Sequence, residues 1–311
     1  DYVLDSGKSI KLPVAALTYS ENGKGQISRN FHRWARRHWM PNGTKERPTL
    51  LNNWEGTGLL FKESEIVKIM DGAKSVGVEM FVLDDGWFGL GEHLRNTDDR
   101  GLGDWYVNRE KLPNGLAGLA DEARKRGLKF GFWVEPEMAN WGKCDLLEKH
   151  PDWALQEKGR PMRLGRGGTQ VVLDSTNPAV RDEIWRQLDA AYSSVPGLAY
   201  IKWDANSNIE NVGSTYLDAA HQGNLYFDYT MGYYDVLSRQ RAKYPNLDMQ
   251  VCSSGGGRME YGSLRYCDEF WTSDNTDPRD RVKMQWGASM FYPACAIASH
   301  VTVTGRQVQF K

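Results

Sequence analysis

The chain lacks an excess of charge of either sign. Its 39 Lys and Arg stand against 40 Asp and Glu in 311 residues, a formal net charge of -1. Nothing electrostatic therefore points to nucleic acid or to an anionic membrane surface as a partner. Long apolar runs are missing too, and none approaches the roughly 20 residues that a membrane-spanning helix needs. The opening Asp1-Tyr2-Val3-Leu4-Asp5 has neither the basic start nor the apolar stretch of a signal peptide, although a removed one leaves no trace. Compartment stays open between cytoplasm and periplasm, for a soluble chain. Cysteine is scarce: Cys144, Cys252, Cys267 and Cys295 are scattered without paired spacing, which indicates neither a disulfide framework nor a zinc site. A glycine-rich phosphate turn is also absent. Asn53-Trp54-Glu55-Gly56-Thr57-Gly58 has no third glycine, and Gly255-Gly256-Gly257-Arg258 lacks the Gly-Lys-Ser/Thr ending. What is plentiful is tryptophan, 12 residues, whose flat apolar face stacks well on sugar rings.

Organisation emerges from a repeated pattern of apolar strands with polar ends. Residues 1–25 read as an extended lead-in, and Arg29 to Trp39 as a short amphipathic helix stopped by Pro41-Asn42-Gly43. Strands are then expected at 49–55, 78–87, 129–137, 200–206, 248–254, 270–274 and 296–301. Helices are expected near 63–75, 116–125, 178–191, 231–243 and 281–291, the third opened by Pro178 in its first turn. The run Val171-Val172-Leu173 falls in an insertion and reads as part of a loop. Alternation at this spacing indicates parallel strands with crossover helices. One-sided loading of the strand ends with reactive groups favours a barrel over a doubly wound sheet. The expected fold class is α/β, a (β/α)8 TIM-type barrel.

The strand ends collect Trp54, Asp84, Asp85, Trp133, Lys202, Asp204, Cys252 and Asp274. Two carboxylates from different strands, with a cation and Trp platforms, suit cleavage of a glycosidic bond. One carboxylate attacks the anomeric carbon, and the other protonates the leaving oxygen and then activates water. Lys202 shares a strand face with Asp204, and a nearby ammonium keeps a carboxylate ionised; a structural ion pair is the plainer reading. Asp84 and Asp85 are adjacent on a strand and point opposite ways, so they form no simple dyad. They could each hold a sugar hydroxyl, or cap the following segment. Glu135 and Glu137 flank a proline and could serve chemistry or hold the loop. His93 and His300 read as structural.

These segments also resemble a known family. Leu83-Asp84-Asp85-Gly86-Trp87-Phe88, Phe132-Trp133-Val134-Glu135-Pro136-Glu137-Met138, Lys202-Trp203-Asp204, Cys252-Ser253-Ser254-Gly255-Gly256-Gly257-Arg258 and Trp271-Thr272-Ser273-Asp274-Asn275-Thr276-Asp277 are similar, in order, to the motifs of glycoside hydrolase family 36, the α-galactosidases or melibiases. The resemblance implies a retaining mechanism without metal or other cofactor. It implies Asp204 as nucleophile and Asp274 as acid/base, and Asp84 and Asp85 on galactose O4 and O6. Trp54 and Trp133 would line the pocket, Arg166 and Lys202 would contact further hydroxyls, and Cys252 and Gly255 would sit near O2. Ala205-Asn206-Ser207 departs from the family's usual Met-Asn-Arg after the nucleophile, which touches binding beyond the galactose ring.

The function implied is a retaining, exo-acting α-galactosidase on oligosaccharides. An α-N-acetylgalactosaminidase, a galactosyltransferase of the raffinose-synthase kind, a non-catalytic sugar-binding barrel and a metal-dependent barrel enzyme using Asp84, Glu135 and Asp204 are the competing readings. Homo-oligomerisation is open. Residues 1–45 are expected to end a preceding domain, and 46–311 to form the catalytic barrel without its last strand and helix. The 311 residues are then a piece of a longer enzyme.

Overall fold

The computed structural model describes residues 2–302. In chain order the elements begin with helix α1 (Gly23–Trp34), strand β1 (Leu50–Asn52), a short helix α2 (Trp54–Thr57), helix α3 (Glu63–Ser75) and β2 (Met80–Leu83). They continue with α4 (Gly115–Lys125), β3 (Lys129–Val134), β4 (Met138–Asn140), α5 (Asp145–Lys149), β5 (Gln170–Val172), α6 (Pro178–Ser193) and β6 (Leu198–Trp203). The last are α7 (Leu225–Lys243), β7 (Asp248–Val251), α8 (Tyr261–Leu264), β8 (Glu269–Phe270) and α9 (Pro278–Ala288).

Two compact units divide these elements, one holding Pro48–Leu247 with the residues up to Ser9, the other Ile10–Arg47 with the chain from Asp248 onward. In the first unit β1, β2, β3 and β6 run parallel, with Met80 opposite Leu50, Phe81 opposite Phe130 and Trp133 opposite Lys202. Strand β2 is buried along its whole length and β3 along all but Lys129. Both faces are covered, as parallel strands between crossover helices require. Phe81, Leu83, Phe132, Val134 and Ile201 are fully buried there. Gly131 marks a close approach: a Cβ would lie 2.5 Å from the Tyr200 carbonyl oxygen, at the point where the β3–β6 register shifts. The helices begin where the chemistry allows. Asn177 accepts the Ala179 N–H ahead of Pro178 in the first turn of α6.

Val171-Val172-Leu173 stays outside the parallel strands, as expected of an insertion, yet it is not mere loop. Its first two residues belong to β5, which pairs antiparallel with β4. Helix α7 starts six residues before the expected Met231, because its early buried positions are Leu225, Tyr229 and Tyr233, and tyrosine blurs the polar–apolar contrast on which periodicity rests.

The second unit contributes the parallel pair β7–β8, with Gln250 opposite Glu269 and Val251 opposite Phe270. Its helix α1 begins at Gly23 and not at Arg29, and a π-helical turn carries it from Ala35 to Trp39. Strand β8 ends at Phe270, four residues short of the expected Asp274. The strand expected at 296–301 is reduced to one bridge, Ile297 with Phe270. The Ala298 amide bonds the Phe270 carbonyl at 3.0 Å, and the Ala298 carbonyl is taken by Gln285 Nε2 at 3.1 Å. Buried Asp248 is held by Lys45 Nζ at 2.6 and 2.7 Å. The end of the expected 46–311 region, from 303, lies outside the described residues.

The fold class is the expected α/β of incomplete (β/α)8 type, with four parallel strands in the first unit and a parallel pair in the second. Among the described residues no helix is long and apolar enough to cross a membrane.

Candidate active site

In the first unit the chemistry gathers where β1, β2, β3 and β6 end. Asp204 follows directly on β6 and is buried. Its amide donates to the Val134 carbonyl at 2.8 Å, which continues the β3–β6 pairing by one residue. The carboxylate then receives two donors. Trp133 Nε1–H reaches Oδ2 at 3.1 Å and the Ala205 amide reaches Oδ1 at 2.8 Å. The two donors fix the orientation of the carboxylate at the strand end.

Asp84 and Asp85 follow β2 and separate, as adjacent strand residues must. Asp84 Oδ2 accepts from Lys202 Nζ at 2.9 Å and from Asn52 Nδ2 at 2.5 Å, while its amide donates to Asn53 Oδ1 at 2.8 Å. Lys202 forms an ion pair with Asp84, a partner that the sequence did not suggest. The strand-face argument still holds, since Lys202 and Asp204 leave β6 on the same side. Asp85 turns to Arg95, whose guanidinium grips it with Nε at 3.0 Å from Oδ1 and Nη2 at 2.8 Å from Oδ2. Burial raises the Asp85 carboxyl above its ordinary pKa, and the Arg95 charge opposes that rise. Burial also works against the Arg95 charge, but Asp85 and Asp98 hold its pKa above the ordinary value.

The two glutamates around Pro136 part company. Glu137 accepts from Trp203 Nε1 at 2.9 Å and from the Tyr229 hydroxyl at 2.8 Å, which makes it a fastening of the core. Glu135 is buried and accepts the Asn206 amide, two residues past Asp204. Burial pushes its carboxyl well above the usual range, and the Asp204 charge pushes it further. Both effects favour its protonated form beside the candidate nucleophile.

Trp54 opens α2 just past β1, half-buried, its amide on Asn52 Oδ1 at 2.8 Å. The same Asn52 bonds Asp84, so one amide side chain ties both residues down. Arg166 sits on an exposed 3-10 turn, with its Nε 3.4 Å from Asp98. The structure therefore brings Asp84, Asp85, Trp133, Lys202 and Asp204 together directly, with Trp54 and Arg166 attached through Asn52 and Asp98.

In the second unit, Cys252 is buried just past β7. Gly255 has φ +86, and a Cβ there would lie 2.9 Å from the Asp274 amide nitrogen. Asp274 is exposed in the irregular stretch after β8, and Trp271 Nε1 donates to its Oδ1 at 2.8 Å. Arg281, buried, sits 5.7 Å from the Trp271 ring centroid and donates to the Ser273 carbonyl at 2.8 Å. An exposed carboxyl can exchange protons with water, which a general acid/base must do.

Sequence reasoning missed Arg95, Asn52 and Lys111. Arg95 and Lys111 lie in the long 89–115 connection, which reads as polar loop, and the only signal was that a loop of that length is rarely idle. Lys111 is buried and spends its ammonium on the carbonyls of Leu59, Gly86 and Arg95 at 2.7, 2.8 and 2.7 Å. Burial lowers its pKa to about 8. His93 bonds Glu148 at 2.8 Å, away from these residues, as a structural histidine would. Among the described residues, no group of three or more His, Cys, Asp or Glu could hold a metal ion.

A family model described as Melibiase matches residues 9–310. Alpha-galactosidase AgaA of Geobacillus stearothermophilus is 41% identical over 304 residues, which cover 97% of this chain and 40% of that protein. Alpha-galactosidase Mel36A of Lactobacillus acidophilus is 40% identical over 303 residues, covering 97% and 40%. Among solved structures, a variant of the GH36 alpha-galactosidase AgaA from Geobacillus stearothermophilus in complex with stachyose superposes with a TM-score of 0.87 at 40% identity, over 93% of this chain and 39% of that one. The chain spans about two fifths of the length of the curated relatives it matches.

Proposed function

This chain belongs to the melibiase family, and from that premise we propose that it carries the catalytic region of a retaining α-galactosidase that removes terminal α-linked galactose from oligosaccharides. The observation that carries the proposal is the setting of Asp204. A buried carboxylate at the end of β6, bonded by the Trp133 and Ala205 N–H groups, belongs to the same set of parallel strand ends as two further carboxylates, at the end of β2, already oriented by cations.

Asp204 attacks the anomeric carbon in this reading and forms a glycosyl-enzyme. Asp274 protonates the departing oxygen and then takes a proton from the incoming water. Asp84 and Asp85 accept hydrogen bonds from galactose hydroxyls, Lys202 and Arg166 donate to others, and Trp54 and Trp133 supply apolar faces. Cys252 and Gly255 belong near O2. In this reading 46–311 carry the catalytic barrel without its last strand and helix, and 1–45 end a preceding domain. Relatives caught with raffinose and stachyose support oligosaccharides as the substrate class.

The test is hydrolysis of p-nitrophenyl α-galactoside beside its N-acetylgalactosaminide, with azide added to Asp204→Ala. Cleavage of the galactoside, loss of activity in the variant and its return as β-galactosyl azide support the roles. Preference for the galactosaminide, or product of inverted configuration, refutes them. For Asp274→Ala, substrates with good leaving groups should lose least in the first step, since they need little protonation.

A further inference from the structure

We propose that Arg95 is a positioning residue that sets sugar specificity: it fixes the Asp85 carboxylate and, through Asp98 and Asn140, joins it to the segment that carries Arg166. The inference rests on the α-galactosidase reading and adds to it a residue that no motif identifies.

The guanidinium is bonded at all three nitrogens. Nε and Nη2 hold Asp85; Nη2 also meets Asp98 Oδ1 at 2.6 Å; Nη1 donates to the carbonyls of Asp98 and Arg100 at 2.6 and 3.2 Å and to Asn140 Oδ1 at 3.4 Å. Asn140, itself fully buried, donates to the Asp98 carbonyl at 3.2 Å and to Thr169 Oγ1 at 3.0 Å. Thr169 directly follows the turn of Arg166, and Arg166 Nε faces Asp98 Oδ2 at 3.4 Å. Lys111 fixes the Arg95 carbonyl at 2.7 Å and the Gly86 carbonyl, one residue past Asp85, at 2.8 Å. Two residues assigned to sugar hydroxyls thus lie at the two ends of one chain of contacts.

The chemistry explains why arginine stands there. Its planar fork makes two parallel bonds to a carboxylate and so sets the rotation of that carboxylate, whereas a lysine ammonium is a point donor that sets only distance. The orientation of a hydroxyl-reading carboxylate decides which epimer leaves no buried polar group unpaired. With Arg95 only 1% exposed, it reaches the substrate through Asp85.

The measurement is kcat and KM of the full chain and of the variants Arg95→Lys and Asp98→Asn on the α-galactoside and on the epimeric α-glucoside. Arg95→Lys should lower kcat/KM for the galactoside about tenfold or more while the glucoside moves by less than about threefold, so the ratio collapses. Asp98 is half-exposed, so its variant tolerates folding better. It should shift the ratio the same way by a smaller factor, because Arg95 keeps Asp85 while Arg166 loses its tether. Folded variants with an unchanged ratio overturn the proposal. A second readout is independent of activity: the Tm loss from Asp85→Asn should be much smaller in the Arg95→Lys background than in the wild type. Equal losses in both backgrounds overturn the clamp. A wild-type chain that ignores the galactoside counts against the α-galactosidase reading, and the Tm cycle still decides the clamp.

Discussion

The Trp133 indole N–H donates to Asp204 Oδ2 at 3.1 Å from the last turn of the pleat before the carboxylate emerges. Trp133 on β3 lies opposite Lys202 on β6, so the backbone register alone carries the indole to the level of the next outward-facing residue, Asp204. The same side chain offers an apolar face and a donor, and the two can be separated. Trp133→Phe keeps most of the face and removes the donor. The kcat for α-galactoside hydrolysis should fall by roughly tenfold to a hundredfold, in line with the loss of a charge-assisted hydrogen bond of about 1.5–3 kcal/mol, with KM changed much less. An equal rise in KM with kcat preserved would show that the ring serves only as a platform.

Glu135 gives a second test, through pH. Its folded pKa stands well above the ordinary carboxyl value, first because of burial and then because of Asp204. That rise favours the protonated form, and glutamine copies that form while still accepting the Asn206 amide. Glu135→Gln should keep kcat/KM at neutral pH within about threefold and flatten any fall of activity with rising pH to which ionisation of Glu135 beside Asp204 contributes. Glu135→Ala, which strands a buried amide donor, should be destabilised by about 1–3 kcal/mol. If the Gln variant is as damaged as the Ala variant, Glu135 works as an anion.

How far the sequence discloses this site depends on what each residue's role rests on. Asp204, Asp84 and Lys202 are legible because strand period and strand end are local properties: an apolar run that stops in a charged residue tells its own story. The parallel order and the parting of Asp84 from Asp85 follow from the same period. Arg95 is not legible, since apart from the local Asp98 its partners Asp85 and Asn140 come from other segments and only the fold brings them to it. The same holds for the ion pair of Lys202 with Asp84, which joins residues 118 positions apart. The early start of α7 escaped because Tyr229 and Tyr233 stand among its buried residues, and the strand expected at 296–301 shortens to a single bridge of Ile297 with Phe270.

Asp104 should govern part of the pH dependence of stability. It is buried and accepts the Asp145 and Leu146 amides at 2.7 and 3.0 Å, which staples the start of α5. Burial raises its pKa to about 6, with the two amides opposing. The folded state therefore holds a proton that the unfolded chain gives up near pH 4. Stability from this group is fully present below about pH 4 and is lost as pH rises through about 6, by up to about 3 kcal/mol. The Tm advantage of wild type over Asp104→Asn should be larger at pH 4 than at pH 7. An advantage that grows from pH 4 to 7 would mean that the amides win and that the carboxylate is the favoured form.

Gly255 and Gly72 make opposite predictions for the same substitution. Gly72 lies inside α3 with open space where a Cβ would go. Gly72→Ala should stabilise the protein by roughly 0.5–1 kcal/mol, because alanine loses less backbone entropy in a helix. Gly255 has φ +86, and its Cβ would meet the Asp274 nitrogen and the Ser273 Cα, both at 2.9 Å. Those are backbone atoms with no rotamer to escape into, so Gly255→Ala must displace the stretch that carries Asp274, beyond the 1–2 kcal/mol that the left-handed conformation itself costs. If Asp274 is the acid/base, the damage should depend on the leaving group. Hydrolysis of raffinose, whose leaving oxygen needs a proton, should fall by about tenfold more than that of an activated aryl galactoside. An equal fall on both substrates would place the harm in sugar binding near O2, and no fall at all would show that the position of Asp274 does not depend on the turn beneath it.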